Sequence, residues 1–297
     1  MNKIKKTDTS KKSLLYETSQ LDCLSYYKNI FPKLKNFLKN REIATKIYLE
    51  NYPLKFLVKR GSKDEPLFID ELKISKKFLE LRKAKDLNDV KEKLSQQEIK
   101  IWHYFVPRKM IEFHYACNHE KGEEIDRIFI DIDRSGKYTA EDSKKVTLEL
   151  INQIRKDSEL KKIINFEIKI VWTGKSFHVY LFLKKKVNHK FYDLYFSWGK
   201  DKESFIEKWA EEISKKTNIP VEAHHERERG KIILDTSATP PGKLARSPFS
   251  LHLNSNGEID GISVPLSIKQ LKDKNIIQKL QKLNVEEVIK NLNKYKI

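Results

Sequence analysis

Cysteine is nearly absent: Cys23 and Cys117 are the only two in 297 residues. Two thiols make neither a disulfide framework nor a Cys₄ zinc site, and they point to a reducing compartment. Long apolar runs are missing as well. No stretch approaches the ~18 residues that a membrane-spanning helix needs, and the N-terminus lacks the apolar core of a secretory signal. The expected location is the cytoplasm, with no membrane partner. No internal repeat and no linker divides the chain, so 13–297 is read as one domain behind a loose basic tail, 1–12. Acidic side chains are the minority charge, 42 Asp and Glu against 60 Lys and Arg, leaving a net +18. Such a surplus favours a polyanion, nucleic acid ahead of a membrane surface. A general enrichment in lysine for solubility or heat tolerance would give the same balance.

What is present centres on Ile125 to Asp133, Ile-Asp-Arg-Ile-Phe-Ile-Asp-Ile-Asp. Its β-branched and aromatic residues read as a buried strand. Buried strands exclude charge unless it is paired or bound to metal. Asp131 and Asp133 break that rule at a spacing of two, which places both carboxylates on one face of a strand. Such a pair suits a hard divalent cation, Mg²⁺ or Mn²⁺, holding a triphosphate. The plainer alternative ends the strand at Ile130 and uses the aspartates to cap the loop Arg134 to Lys137.

Elsewhere the patterning alternates between helix and strand. Leu21–Lys39 has a helical period interrupted at Pro32, and Ala44–Val58 should give strands. Ile74–Ile99 reads as a charged, largely exposed helix. Met110–Tyr115 is a short strand, Glu141–Lys156 and Ser204–Lys216 are helices, and Ile168–Leu183 holds two apolar runs. Lys231–Asp235, Leu244–Leu253 and Ile262–Leu266 each read as one strand, and Ile268–Lys296 is helical. This order predicts an α/β (mixed α+β) fold.

Three further features bear on the aspartates. Gly174-Lys175-Ser176-Phe177-His178 puts a small-residue turn, a cation and a histidine at the mouth of an apolar strand. Backbone amides can approach a phosphate closely there, and His178 can donate to one of its oxygens. A simple hairpin turn is the plain alternative. Asp235 ends its strand and could complete a two-metal site, or could merely cap the next turn. His114, on the strand before Asp131, could face the same cleft. Cys117-Asn-His119 and His224-His225 lack the spacing of a zinc site.

Met110-Ile-Glu-Phe-His114, then Asp126 to Asp133, then Gly174 to Leu181 and Arg229 to Asp235, resemble in order the polymerase domain of bacterial and archaeal non-homologous end-joining ligases. These LigD-type domains are primase-polymerases of the archaeo-eukaryotic primase superfamily. Tyr26-Tyr27, Pro32, Asn40-Arg41-Glu42, Gly242, Pro248 to Leu251 and Ser263 to Leu266 extend the likeness over roughly Leu21 to Leu271. The resemblance implies a mixed sheet flanked by helices, with an N-terminal part (about 13–105) over the cleft of a catalytic core (about 106–271) and a helical end (272–297). It implies template-directed nucleotidyl transfer with two divalent ions, Mn²⁺ or Mg²⁺. The substrates would be NTP or dNTP, ribonucleotides preferred, and the task gap filling at broken DNA ends. Asp131, Asp133 and Asp235 would be catalytic. Lys175, Ser176, His178 and Gly174 would hold the triphosphate, with His114, Ser250 and His252 nearby. Lys11, Lys12 and Lys28, with Lys59 and Arg60, would contact DNA. The partners implied are DNA, a separate ligase and a Ku-like protein, and the protein would be a monomer.

The chain also departs from that family. Ala238-Thr239 stands where the family has Arg-Asn, and His252 stands where it has an arginine, so Lys243 or Arg246 would have to supply the missing charge. The replicative-primase cysteine knuckle is lacking. A de novo primase, a non-catalytic nucleic-acid binder and a metal-dependent nuclease are the rival readings.

Overall fold

Residues 15–17, 20–200, 203–226 and 230–297 are described by the computed structural model. Lys11, Lys12 and Arg229 lie outside them. A short strand pair, β1 (Tyr16–Glu17) and β2 (Gln20–Leu21), leads into α1 (Cys23–Leu34), followed by β3 (Ile43–Tyr48), β4 (Phe56–Arg60), α2 (Lys76–Leu81), α3 (Gln96–Phe105) and β5 (Ile111–Ala116). Next come β6 (Glu124–Arg134), α4 (Ala140–Lys156), α5 (Ser158–Ile163), β7 (Phe166–Trp172), β8 (Phe177–Asn188), α6 (Lys190–Tyr195) and α7 (Phe205–Thr217). The last third holds β9 (Val221–Ala223), β10 (Ile232–Asp235), β11 (Leu244–Arg246), β12 (Leu251–Leu253), β13 (Ile259–Ile262) and β14 (Val264–Leu266), closed by α8 (Ile268–Leu271), α9 (Ile276–Gln281) and α10 (Val285–Lys290).

Two sheets carry the architecture. The larger has the order β14-β7-β8-β6-β10-β9, antiparallel throughout except for the parallel β10/β9 pair. The smaller, β11-β5-β3-β4, is antiparallel and draws strands from both sides of the boundary expected near residue 105. Mixed sheets flanked by helices are the α/β fold expected. The β6 strand runs unbroken to Arg134, so the aspartates lie within it rather than in a loop. Its alternation explains the site. Ile128, Ile130 and Ile132 are fully buried on one face, where α4 packs over β6 and β8. On the other face Arg127 stacks over Phe37 and Phe182, and Phe129 meets the Tyr180 ring. That aromatic layer fills the space near the middle of β6. Asp131 and Asp133 continue the same face where the layer ends, so their carboxylates meet an opening instead of apolar packing.

Several local expectations change. Pro32 lies inside α1 and does not interrupt it. It is exposed in the last turn, where it removes the amide that would donate to the Lys28 carbonyl, and the helix runs only two residues further. Asp22 caps α1, and Tyr26 and Tyr27 tie it to the core: their hydroxyls donate to the Phe249 and Ile111 carbonyls at 2.9 and 2.7 Å. The single helix expected over Ile74–Ile99 is instead α2 and the start of α3. Ser75 caps one helix and Ser95 with Glu98 caps the other, while Asp86 folds back on the Asn88 amide between them. Leu244–Leu253 is two strands, β11 and β12. The break is Ser247 to Ser250, where Phe249 takes a left-handed φ of 63° that an L-residue adopts only under constraint. The terminal helical region is three short α-helices and a 3-10 turn, Leu292–Lys294. Among the described residues no helix is long and apolar enough to cross a membrane.

Candidate active site

Strand register assembles the acidic wall. Asp131 pairs with His178 on β8 and with Asp235 on β10, so the three side chains form a row across three adjacent strands. Asp133 lies two residues along on the same face. His178 Nε2 is 3.5 Å from Asp131 Oδ1. Burial drives the imidazole well below its ordinary pKa, and the charges of Arg246 and His114 push the same way. His178 is therefore neutral near pH 7, and its Nδ1 is buried without a hydrogen-bond partner. A neutral imidazole held this way can still donate one hydrogen bond to an oxygen in the cleft.

The aspartates share their cleft with cationic side chains. A cleft of about 300 Å³ is lined by Asp131, Asp133 and His178, together with Arg134, Lys175, Arg246 and His252. Thr173, Ser176 and Gly136 complete it. The turn that carries Lys175 is shaped by the Thr173 hydroxyl, which accepts the Ser176 amide at 3.0 Å, while the Ser176 hydroxyl donates to the Ile132 carbonyl of β6. Gly174 takes φ 103° and lies back to back with Gly261: a Cβ on Gly261 would meet Gly174 Cα at 2.7 Å. This contact docks the β12–β13 hairpin on the turn. It brings Asp260 against Lys175 Nζ at 2.5 Å and against His252 Nδ1.

Other residues singled out by the sequence lie elsewhere. Asp235 does not line the cleft; it flanks the row, accepts the Ser237 amide at 2.7 Å and faces His225 at 3.8 Å. It therefore caps a turn and neighbours Asp131 at once. His114 lies behind Arg246, its register partner on β11. Burial lowers its pKa to about 3, with Arg246 acting in the same direction. Lys243 is exposed and Gly174 contributes only backbone. Ser250 is a correction. It is fully buried, its hydroxyl accepting the Phe113 amide at 2.8 Å and donating to the Leu251 carbonyl at 2.9 Å. Ser250→Ala is thus expected to cost about 1–3 kcal/mol in urea unfolding, with an unchanged nucleotide KM. Arg60 has its guanidinium held by Glu120 at 3.1 Å and by the Gly242 carbonyl. Lys59 is paired with Asp64 at 2.8 Å, and Lys28 is half-buried on α1.

The departures from the family pattern find structural roles. Thr239 patches β6, accepting the Phe129 amide at 2.9 Å. Arg246, not Lys243, brings a guanidinium to the cleft, near His252. Sequence reading missed Arg134, Thr173, Asp260 and Gly261; only the adjacency of Arg134 to Asp133 signalled any of them.

Among the described residues no three donors already form a ligating cluster. The donor chemistry nevertheless fits a hard divalent cation. Asp131 and Asp133 project from one face of a rigid strand, and Asp235 is the cross-strand neighbour of Asp131. Burial raises the Asp235 pKa, and the charge of Asp133 raises it further against the pull of Ser237 and His225. A cation between these carboxylates would relieve that repulsion.

Comparison with known proteins identifies the family and the fold. The family model described as LigD, primase-polymerase domain, matches residues 19–296. Among solved structures, the polymerase domain from Mycobacterium tuberculosis Ligase D in complex with DNA is similar in fold, with a TM-score of 0.57 and 14% identity, covering 91% of this chain and 87% of that one. No curated protein sequence matches the chain.

Proposed function

The chain belongs to the LigD primase-polymerase domain family, and on that premise we propose that it extends a DNA 3′-end by template-directed, two-metal nucleotidyl transfer, filling short gaps at DNA ends. Membership makes it a primase-polymerase-type nucleotidyltransferase. The observation that carries the finer reading is twofold: Asp235 is the cross-strand neighbour of Asp131, and Asp131, Asp133 and His178 share one cleft with Lys175, Arg246 and His252. A binder with a decayed site has no reason to keep carboxylates against one another. The turn Gly174 to His178, with its close backbone approach, lysine and histidine, suits a triphosphate and argues against a nuclease.

Asp131 and Asp133, with Asp235, would hold divalent ions. Bound there, such ions supply a lowered pKa for the attacking 3′-hydroxyl and charge compensation for the leaving pyrophosphate. The protein's own part is positional. Lys175 and Arg246 attract the triphosphate, and release of Lys175 from Asp260 frees its ammonium for a phosphate oxygen. His178 donates from the floor of the cleft. Being neutral, it adds a directed hydrogen bond without adding charge.

The DNA-bound relative supports DNA as the polymer, and the net charge of +18 agrees with it. A separate ligase and a Ku-like protein are the proposed partners. Repair and priming are distinguished by substrate. A gapped duplex with a downstream 5′-phosphate is expected to bind about 10-fold more tightly than its 5′-hydroxyl counterpart at low salt, and less so as salt rises. Extension is expected with rNTPs ahead of dNTPs. Equal Kd for the two ends, together with efficient synthesis on a primer-free template, would favour a de novo primase.

A further inference from the structure

We propose that Glu112, buried behind the cleft, is the positioning residue that presents Arg246 to the substrate's triphosphate. The assignment rests on the polymerase reading above and goes one layer deeper than the residues that line the cleft.

Glu112 is 1% exposed on β5, an unusual place for a carboxylate. Among the described residues its ion-pair partners are Lys46, Arg246 and His114. Lys46 is its register partner on β3, with Nζ 3.4 Å from Oε2. His114 Nε2 lies 4.0 Å from the same oxygen, which has no hydrogen-bond partner. The other oxygen, Oε1, takes the Leu253 amide at 2.9 Å and Arg246 Nη1 at 3.1 Å. Arg246 Nη1 also donates to the Leu251 carbonyl at 3.0 Å. One nitrogen of the guanidinium is thereby fixed at two points, and Arg246 still lines the cleft.

Only a planar, forked cation can be gripped behind and remain available in front. The grip is set by backbone geometry. The β11–β5 pairing places Arg246 opposite His114, and Glu112 is two residues away on the same face. The left-handed turn at Phe249 brings Leu251 and Leu253 round to the same point. Burial favours a protonated Glu112, but Arg246, His114, Lys46 and the Leu253 amide outweigh it and lower its pKa to about 2. The carboxylate is thus ionised and aimed at neutral pH. Its role is separable from neutralising charge, because Lys46 alone would satisfy that need.

A double-mutant cycle on primer extension tests this. Glu112→Gln keeps shape and an acceptor but removes the charge. It is expected to raise the nucleotide KM about 10-fold while kcat changes far less, the size of one weakened charge-assisted contact. Arg246→Lys keeps charge but loses the two-point hold, and is expected to do the same. The double variant is expected to be no worse than Arg246→Lys alone. Thermal unfolding is followed in parallel. If Glu112→Gln does not fold, Arg246→Lys carries the test from the other end, since it leaves Glu112 and its packing in place. A Glu112→Gln KM within twofold of wild type overturns the assignment, as does an equal further rise in the Arg246→Lys background. For a Glu112→Gln that does not fold, an unchanged KM in Arg246→Lys does so. A wild-type protein that extends no primer overturns the polymerase reading itself and the assignment with it.

Discussion

Asp133→Asn is expected to lower primer extension by about 10³-fold or more while melting no lower than wild type. The two halves of that result have one cause. Asp133 raises the Asp235 pKa through its negative charge, so the metal-free protein carries a repulsion that neutralising either group relieves. Losing the carboxylate also removes a cation ligand, and several kcal/mol of transition-state stabilisation correspond to three or more decades of rate. A variant that is merely misfolded would lose both activity and melting temperature. Asp131→Asn is expected to behave similarly in activity. Its melting temperature should change little, because the His178 ring 3.5 Å away is neutral and an asparagine oxygen can still accept from it. Gapped-duplex binding should survive in both, since it rests on lysine and arginine contacts to phosphate. Chelation of the wild type by EDTA should reproduce the kinetic loss, and added Mn²⁺ should reverse it. Wild-type extension by either variant would remove the two-metal reading.

How much of this was legible in the sequence follows the range of the interactions. Period-two spacing placed Asp131 and Asp133 on one face if the strand reached them; local propensity left open an end at Ile130, and it is the pairing of β6 with β8 and β10 that carries the strand to Arg134. The family resemblance, spread over motifs in order, indicated the fold. The partners of Arg246 were not legible. Glu112 and Arg246 are separated by over a hundred residues and meet through β5/β11 pairing, which no local pattern encodes. The contact of Gly174 with Gly261 is of the same kind, because each glycine reads as an ordinary turn residue until the hairpin docks. Ser250 was misread because hydroxyls serve phosphates and buried amides equally well, and only burial separates the two uses. The partners of Arg60, Glu120 and the Gly242 carbonyl, are likewise distant in sequence and could not be read from it. The helix over Ile74–Ile99 failed where capping serines outcompeted a weak apolar period.

His178→Ala is expected to cost about 10²-fold in kcat/KM, with KM raised and kcat lowered together, because a preorganised donor acts on both bound substrate and transition state. His178→Gln should recover part of that loss. The structure holds His178 uncharged, so what it offers is a hydrogen bond, and an amide can donate one from nearly the same place. Were the imidazole needed as a cation or a base, Gln would be as inactive as Ala. Stability gives an independent check through pH. The folded pKa of His178 lies well below its ordinary value, and that of His114 is about 3. Below the unfolded pKa, about 6.5, the unfolded chain gains protons that the folded state refuses. Stability should therefore fall as pH drops from 6.5 towards 5, by up to about 1.4 kcal/mol per pH unit for each histidine. Burial holds His252 below its ordinary value too, so His178→Gln removes one of three such histidines and should reduce the slope in urea unfolding without abolishing it. An unchanged slope would mean that the ring is not held neutral, and equal activities for the Gln and Ala variants would remove its role as a neutral donor.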